Sequence, residues 1–106
     1  MLSMSTIYVH HGENRENFIR SVLSVFKTEI KKAKRVLVKP NIVSYENYPT
    51  TTHPGALKTV LSFIKDLDKM VIVSDGPAFD AGDSKKIISS HQLREVCRDF
   101  NIPLVN

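Results

Sequence analysis

Apolar positions along the chain alternate between short continuous runs and stripes at helical spacing. Met4 to His10 holds Ile7, Tyr8 and Val9 in a β-like run that His11-Gly12 ends, and it reads as a first strand. From Glu13 to about Lys32 the apolar residues Phe18, Ile19, Val22, Leu23, Phe26 and Ile30 recur every three or four positions, the spacing of one helix face. Glu13 and Glu16 at its start and lysines at its end suit the helix dipole. Val36 to Lys39 is too continuously apolar for a half-exposed strand and is bounded by Pro40, so it reads as a central parallel strand.

Asn41 to Thr52 is polar, with Tyr45, Tyr48 and Pro49, and reads as a long loop. A helix is expected to begin at Thr52 or His53, because Pro54 suits a first helical turn and a threonine hydroxyl can cap it. Leu57, Val60, Leu61, Ile64 and Leu67 supply its stripe. Met70 to Val73 is the next buried strand, and Ser74 to Ser84 is a loop of turn residues. A helical region from about Ser84 to Phe100, interrupted near Ser89-Ser90, buries Leu93, Val96, Cys97 and Phe100. Ile102 to Val105, with Pro103, closes as an edge strand. The order β-α-β-α-β-α-β predicts an α/β fold: three layers, a mostly parallel sheet of about four strands, and helices packed on its faces.

Composition sets bounds around that pattern. With 106 residues and 42% hydrophobic composition, residues 1–106 are expected to form one domain with an adequate core. The net charge of +4 and pI near 9.3 permit an anionic ligand, although much of the excess sits in Lys31-Lys32-Ala33-Lys34-Arg35 at a predicted helix end. No aromatic residue interleaves with that run, so no nucleic-acid partner is expected. Cys97 alone excludes an internal disulfide and leaves this chain without iron–sulfur ligands. No signal peptide stands at the N-terminus and no apolar run approaches the ~20 residues of a membrane span, so the reading is of a cytoplasmic protein with no membrane partner.

Candidate chemistry gathers at the predicted strand ends, where open α/β sheets hold their ligands. Lys39, Asn41 and Asp75 stand at carboxyl ends of the two central strands, beside the helix start at His53. Lys39 offers a charge for a phosphate or carboxylate, or is a solvated end-of-strand lysine; Asn41 is a donor to the same spot or a turn residue. Thr51 and Thr52 are ligand donors or helix caps. His53, at the positive end of a helix dipole, is a neutral ring able to act as acceptor, base or metal ligand, or an exposed cap. Asp75-Gly76 is part of the site or a plain turn. Asp80 and Asp83 have no fixed spacing with Asp75 that would support a magnesium ion, and no metal site is assigned. His10 and His11 are adjacent on one strand and point to opposite faces, so they do not chelate together. Gly82-Asp83-Ser84-Lys85-Lys86 lacks the spacing of a phosphate-binding loop and reads as a cap. Cys97, on an apolar stripe, reads as core.

Three motifs in order, Val36-Leu37-Val38-Lys39-Pro40-Asn41-Ile42-Val43-Ser44, Thr51-Thr52-His53-Pro54 and Val71-Ile72-Val73-Ser74-Asp75-Gly76-Pro77, resemble the opening half of the family called domain of unknown function 362. The resemblance runs from about Ile7 to Val105. It implies a chain whose relatives are often two to three times longer, some with a ferredoxin-like [4Fe–4S] segment. That segment has no counterpart here, Ser74 stands where the family often has glycine, and the second half of the family domain is missing after Asn106.

Three readings of function remain open. One is a binding module for a small anionic ligand (phosphate, nucleotide or carboxylate) at the carboxyl edge of the parallel strands. Another is a small enzyme, or a subunit of an iron–sulfur-linked redox enzyme, with His53 as base and Lys39 as electrostatic stabiliser. The third is an interaction domain forming a homo-oligomer through its sheet edge. No nucleophile–base–orienter set is visible, which leaves the catalytic reading without a mechanism, and the cofactor unknown.

Overall fold

The computed structural model describes residues 4–77 and 81–106, and the elements run in the order α1 (Arg15–Val25), α2 (Lys27–Lys32), β1 (Arg35–Val38), α3 (Pro54–Asp66), β2 (Met70–Ser74), α4 (Ser84–Ser90), α5 (Leu93–Asp99) and β3 (Leu104–Val105). Three parallel strands form one sheet in chain order, β1-β2-β3. Arg35 is in register with Met70, Leu37 with Ile72, and Val73 with Leu104. The α/β class, the parallel pairing and the helical connections agree with the sequence pattern, but β1, expected at the centre, is an edge strand, and among the described residues helices cover one face of the sheet rather than both, leaving Leu37, Met70 and Ile72 exposed.

Residues 4–10 depart from it. The run Ile7-Tyr8-Val9 is not a strand but an exposed extended segment, with Ile7 83% exposed. Its β propensity reflects fitness for a pleated, half-buried surface, and without a ladder partner that preference has nothing to act on. The sheet therefore has three strands among the described residues, against the four expected. The predicted helix over Glu13 to Lys32 is split at Phe26, whose φ of −100° and ψ of 10° interrupt regular geometry. None of the residues in α1 or α2 is fully buried, so the apolar stripe of this segment is only half covered.

The core lies between α3, the α4–α5 pair and one face of the sheet. It contains Leu57, Leu61 and Ile64 from α3, Val71 and Val73 from β2, Ile87 and Ile88 from α4, Leu93 and Cys97 from α5, and Ile102 and Leu104 beside them. Val36 and Val38 pack against it from β1. Ile42, from the segment expected to be a polar loop, is fully buried and pins that segment to the core. Leu37, Met70 and Ile72, at the alternate strand positions, remain exposed.

Helix ends are closed by specific residues. Asp83 accepts from the backbone N–H groups of Lys85 and Lys86 and caps α4, confirming the capping role read in this turn. After α5, Asn101 adopts φ 57°, its N–H donates to Arg98 O, and the N–H of Ile102 donates to Cys97 O at 2.9 Å. This pair of bonds around a left-handed residue turns the chain out of the helix and into β3. Arg94 reaches from α5 to the carbonyls of Ile88 and Leu104, linking α4 to β3.

Candidate functional site

The carboxyl ends of β1 and β2 are neighbours, and the residues that follow them meet. Lys39 Nζ lies 2.7 Å from Asp75 Oδ1, and Asp75 Oδ2 accepts the backbone N–H of Ile42 at 2.6 Å. The Asp75 side chain is 5% exposed and that of Lys39 68% exposed. One buried carboxylate thus holds both the strand-end lysine and the start of the loop.

The loop is closed on itself by Asn41 and Thr52. The Asn41 N–H donates to Thr52 Oγ1 at 2.8 Å, and the Thr52 N–H donates to Asn41 O at 3.0 Å. Asn41 Nδ2 is directed at the Thr50 carbonyl, and the buried hydroxyl of Thr51 donates to Glu46 O at 2.6 Å. Neither threonine caps α3, contrary to the capping role their position before Pro54 suggests. These bonds fix the loop, with Thr52 Oγ1 serving as an acceptor and the Thr51 hydroxyl as a donor inside the protein. Gly76 is exposed, and a Cβ there would meet only Asn106 Oδ1 at 3.6 Å, an ordinary contact.

The cap of α3 is His53 itself. Its Nδ1 accepts the Gly55 N–H at 2.9 Å, with Pro54 at the first helical position. A ring nitrogen that accepts a hydrogen bond carries a lone pair, so the neutral imidazole has its proton on Nε2. In that form His53 keeps one N–H donor, at Nε2, besides the nitrogen that caps the helix. Gly55 makes this possible: a Cβ on it would stand 3.0 Å from His53 Cε1 and 3.1 Å from Nδ1.

His53 lines a space beside α1. Its ring packs edge-to-face with Tyr48 at a centroid distance of 4.9 Å, and the Arg15 guanidinium sits 5.3 Å from the centroid of the Tyr48 ring. Here α1 and α3 enclose a cleft of about 300 Å³, lined by Arg15, Glu16, Arg20, His53, Gly55, Lys58, Thr59 and Ser62. Arg20 donates to Ser62 Oγ at 3.1 Å and lies 3.4 Å from Glu16 Oε1. Three cations, Arg15, Arg20 and Lys58, thus face one carboxylate at the first turns of α3.

Arg15, Arg20 and Lys58 were not singled out in the sequence. For Lys58 the signal is a second stripe of α3: Gly55, Lys58, Thr59 and Ser62 recur at three- and four-residue spacing on the flank that lines the cleft with α1. Among the described residues no group of three or more His, Cys, Asp or Glu side chains is arranged to hold a metal ion, and Asp80 lies outside those residues. No helix among them is long and apolar enough to cross a membrane.

Comparison with known proteins locates the chain without assigning it a reaction. No curated protein and no solved structure matches it. The profile of the family described as domain of unknown function (DUF362) matches residues 36–106, which takes in β1 from Val36 onward, β2 and β3, the Lys39–Asp75 pair and the cap of α3. The chain belongs to the DUF362 family.

Proposed function

We propose that this domain binds a small anionic ligand carrying a phosphate or carboxylate group in the cleft between α1 and α3, on the side of the sheet where β1 ends and α3 begins. The observation that carries this reading is the charge imbalance of the cleft: Arg15, Arg20 and Lys58 against Glu16 alone. The Nε2–H of His53 adds a neutral donor, and the dipole of the 13-residue α3 favours negative charge near its first turn. Lys39, the strongest candidate in the sequence, is secondary here, because Asp75 already offsets its charge.

Isothermal titration with inorganic phosphate, a nucleoside monophosphate and a dicarboxylate tests the reading. Removal of one charge-assisted hydrogen bond costs about 1.5–3 kcal/mol, so Lys58→Ala and Arg15→Ala should each weaken binding by roughly 10-fold or more. Lys39→Ala should weaken it less. Absence of binding across the panel, or binding insensitive to both cleft variants, overturns the proposal.

A further inference from the structure

The cleft between α1 and α3 carries an excess of two positive charges, with Arg15, Arg20 and Lys58 set against Glu16. Arg20 is engaged by Glu16 and Ser62, whereas Arg15 and Lys58 form no ion pair among the described residues. The donors stand on both walls: Arg15 and Arg20 come from α1, Lys58 from α3 and His53 from the cap of α3. Arg15 is also the first residue of α1, where the helix dipole disfavours a cation. An anion between the two helix starts relieves that placement as well as answering the free charges.

The same cleft excludes part of the anion class. Among the described residues, none that lines it is Phe, Tyr or Trp. The nearby Tyr48 ring is already packed against His53 and Arg15. Proteins commonly hold an unpaired base by stacking it on an aromatic ring, and this cleft has no ring to spare. Its volume of about 300 Å³ lies at the lower end of the range for ligand pockets, which suits a small molecule.

Resting on the reading of this cleft as an anion site, we infer that its ligand is a small aliphatic phosphomonoester bound as the dianion. A phosphomonoester concentrates about −1.5 to −2 charge and three terminal oxygens on one tetrahedral centre at neutral pH. That matches two uncompensated cations and donors approaching from two walls. A phosphodiester brings a single charge and two terminal oxygens. A dicarboxylate divides its two charges between separate planar groups.

Isothermal titration at neutral pH with glycerol 3-phosphate, its methyl diester, succinate and adenosine 5′-monophosphate tests the inference. Glycerol 3-phosphate should bind about 10-fold or more tightly than the diester or succinate, the equivalent of one charge-assisted hydrogen bond. Adenosine monophosphate should bind no more tightly than glycerol 3-phosphate. In Lys58→Ala and in Arg15→Gln the preference for monoester over diester should shrink, because one of the two free charges is gone. Both positions are exposed, and far-UV circular dichroism establishes that the variants are folded. If the diester or succinate binds as tightly as the monoester, and both variants weaken that binding, the anion site stands and its assignment to a phosphomonoester falls. Adenosine monophosphate binding 10-fold more tightly than glycerol 3-phosphate also overturns the assignment, as does a monoester preference unchanged in both variants. Binding of none of the four removes the anion site, and this inference with it.

Discussion

Lys39 and Asp75, 36 positions apart in sequence, are joined at 2.7 Å across the carboxyl ends of adjacent strands, with the carboxylate buried and the ammonium facing solvent. Asp75 also accepts the Ile42 N–H. The two interactions differ in what their loss leaves behind. Asp75→Ala strands a backbone donor near the fully buried Ile42 side chain, which costs about 1–3 kcal/mol. Lys39→Ala removes an exposed cation that water can partly replace. Urea unfolding should therefore rank Asp75→Ala as more destabilising than Lys39→Ala, with Asp75→Asn between the parent and Asp75→Ala. The reverse ranking would make the ion pair, rather than the amide contact, the main role of Asp75.

The start of α3 offers a second measurement. His53→Ala removes the side-chain cap and should cost about 0.5–2 kcal/mol in stability. Gly55→Ala crowds the His53 ring at 3.0 Å, so it should destabilise despite the better helix propensity of alanine. In the His53→Ala background that crowding is gone, and Gly55→Ala should become neutral or stabilising. Thermal melts of the four proteins in the cycle give the answer, and additive effects would show that the ring and the glycine are not coupled.

His91 predicts a pH dependence. Burial holds its imidazole below the usual histidine range, even though the carbonyls of Ser44 and Glu46 face it and favour the charged form. Nδ1 accepts the Leu93 N–H at 3.1 Å, and buried Nε2 completes no hydrogen bond. Above about pH 6.5 the ring is neutral in both folded and unfolded chains and contributes no slope. As pH falls below that value the unfolded chain takes up a proton that the folded ring resists, so stability declines until the lowered folded pKa is passed. Urea midpoints between pH 7.5 and 5.5 should fall in the parent, and the slope should flatten in His91→Gln; an unchanged slope would place the effect elsewhere.

Cys97 should be inert while the chain is folded. It is 1% exposed, and burial pushes its thiol above the ordinary range, with nearby Arg94 acting in the opposite direction. Because the thiolate is the reactive species, a disulfide reagent at neutral pH should modify the native protein far more slowly than the urea-unfolded chain, with the native rate tracking local opening. Fast native labelling would mean that α5 detaches readily.

The sequence made the frame legible where one segment decides its own structure. The stripe of α3 and the continuous runs of β1 and β2 state their conformations locally, and Pro54 marks the helix start to within one residue. Capping was harder to read: Thr52, His53 and Asp83 all precede helix starts, and only the fold shows that the Thr52 hydroxyl is taken by Asn41 while a histidine ring closes α3. Ile7-Tyr8-Val9 has a strand's residues but no ladder, which depends on a neighbour no local pattern reveals. The rim residues were brought together as adjacent parallel strands require, yet His53 lines the cleft beside α1, where its bond to Gly55 and its contact with Tyr48 hold it. The cleft cations come from two helices whose packing the apolar spacing did not specify.

The chain-order arrangement β1-β2-β3 bears on the route by which the sheet assembles. Arg35 pairs with Met70 and Val73 with Leu104, so each ladder closes across one helix-bearing connection of roughly 30–35 residues. Loop-closure entropy rises only slowly with length, and no strand waits for a partner from a distant part of the chain. Assembly can then begin with β1 and β2 under α3 and add the two-residue β3 afterwards. In stopped-flow kinetics Leu61→Ala should slow folding, whereas Leu104→Ala should chiefly speed unfolding. The short β3 would then be the last part of the sheet to form and the first to leave it.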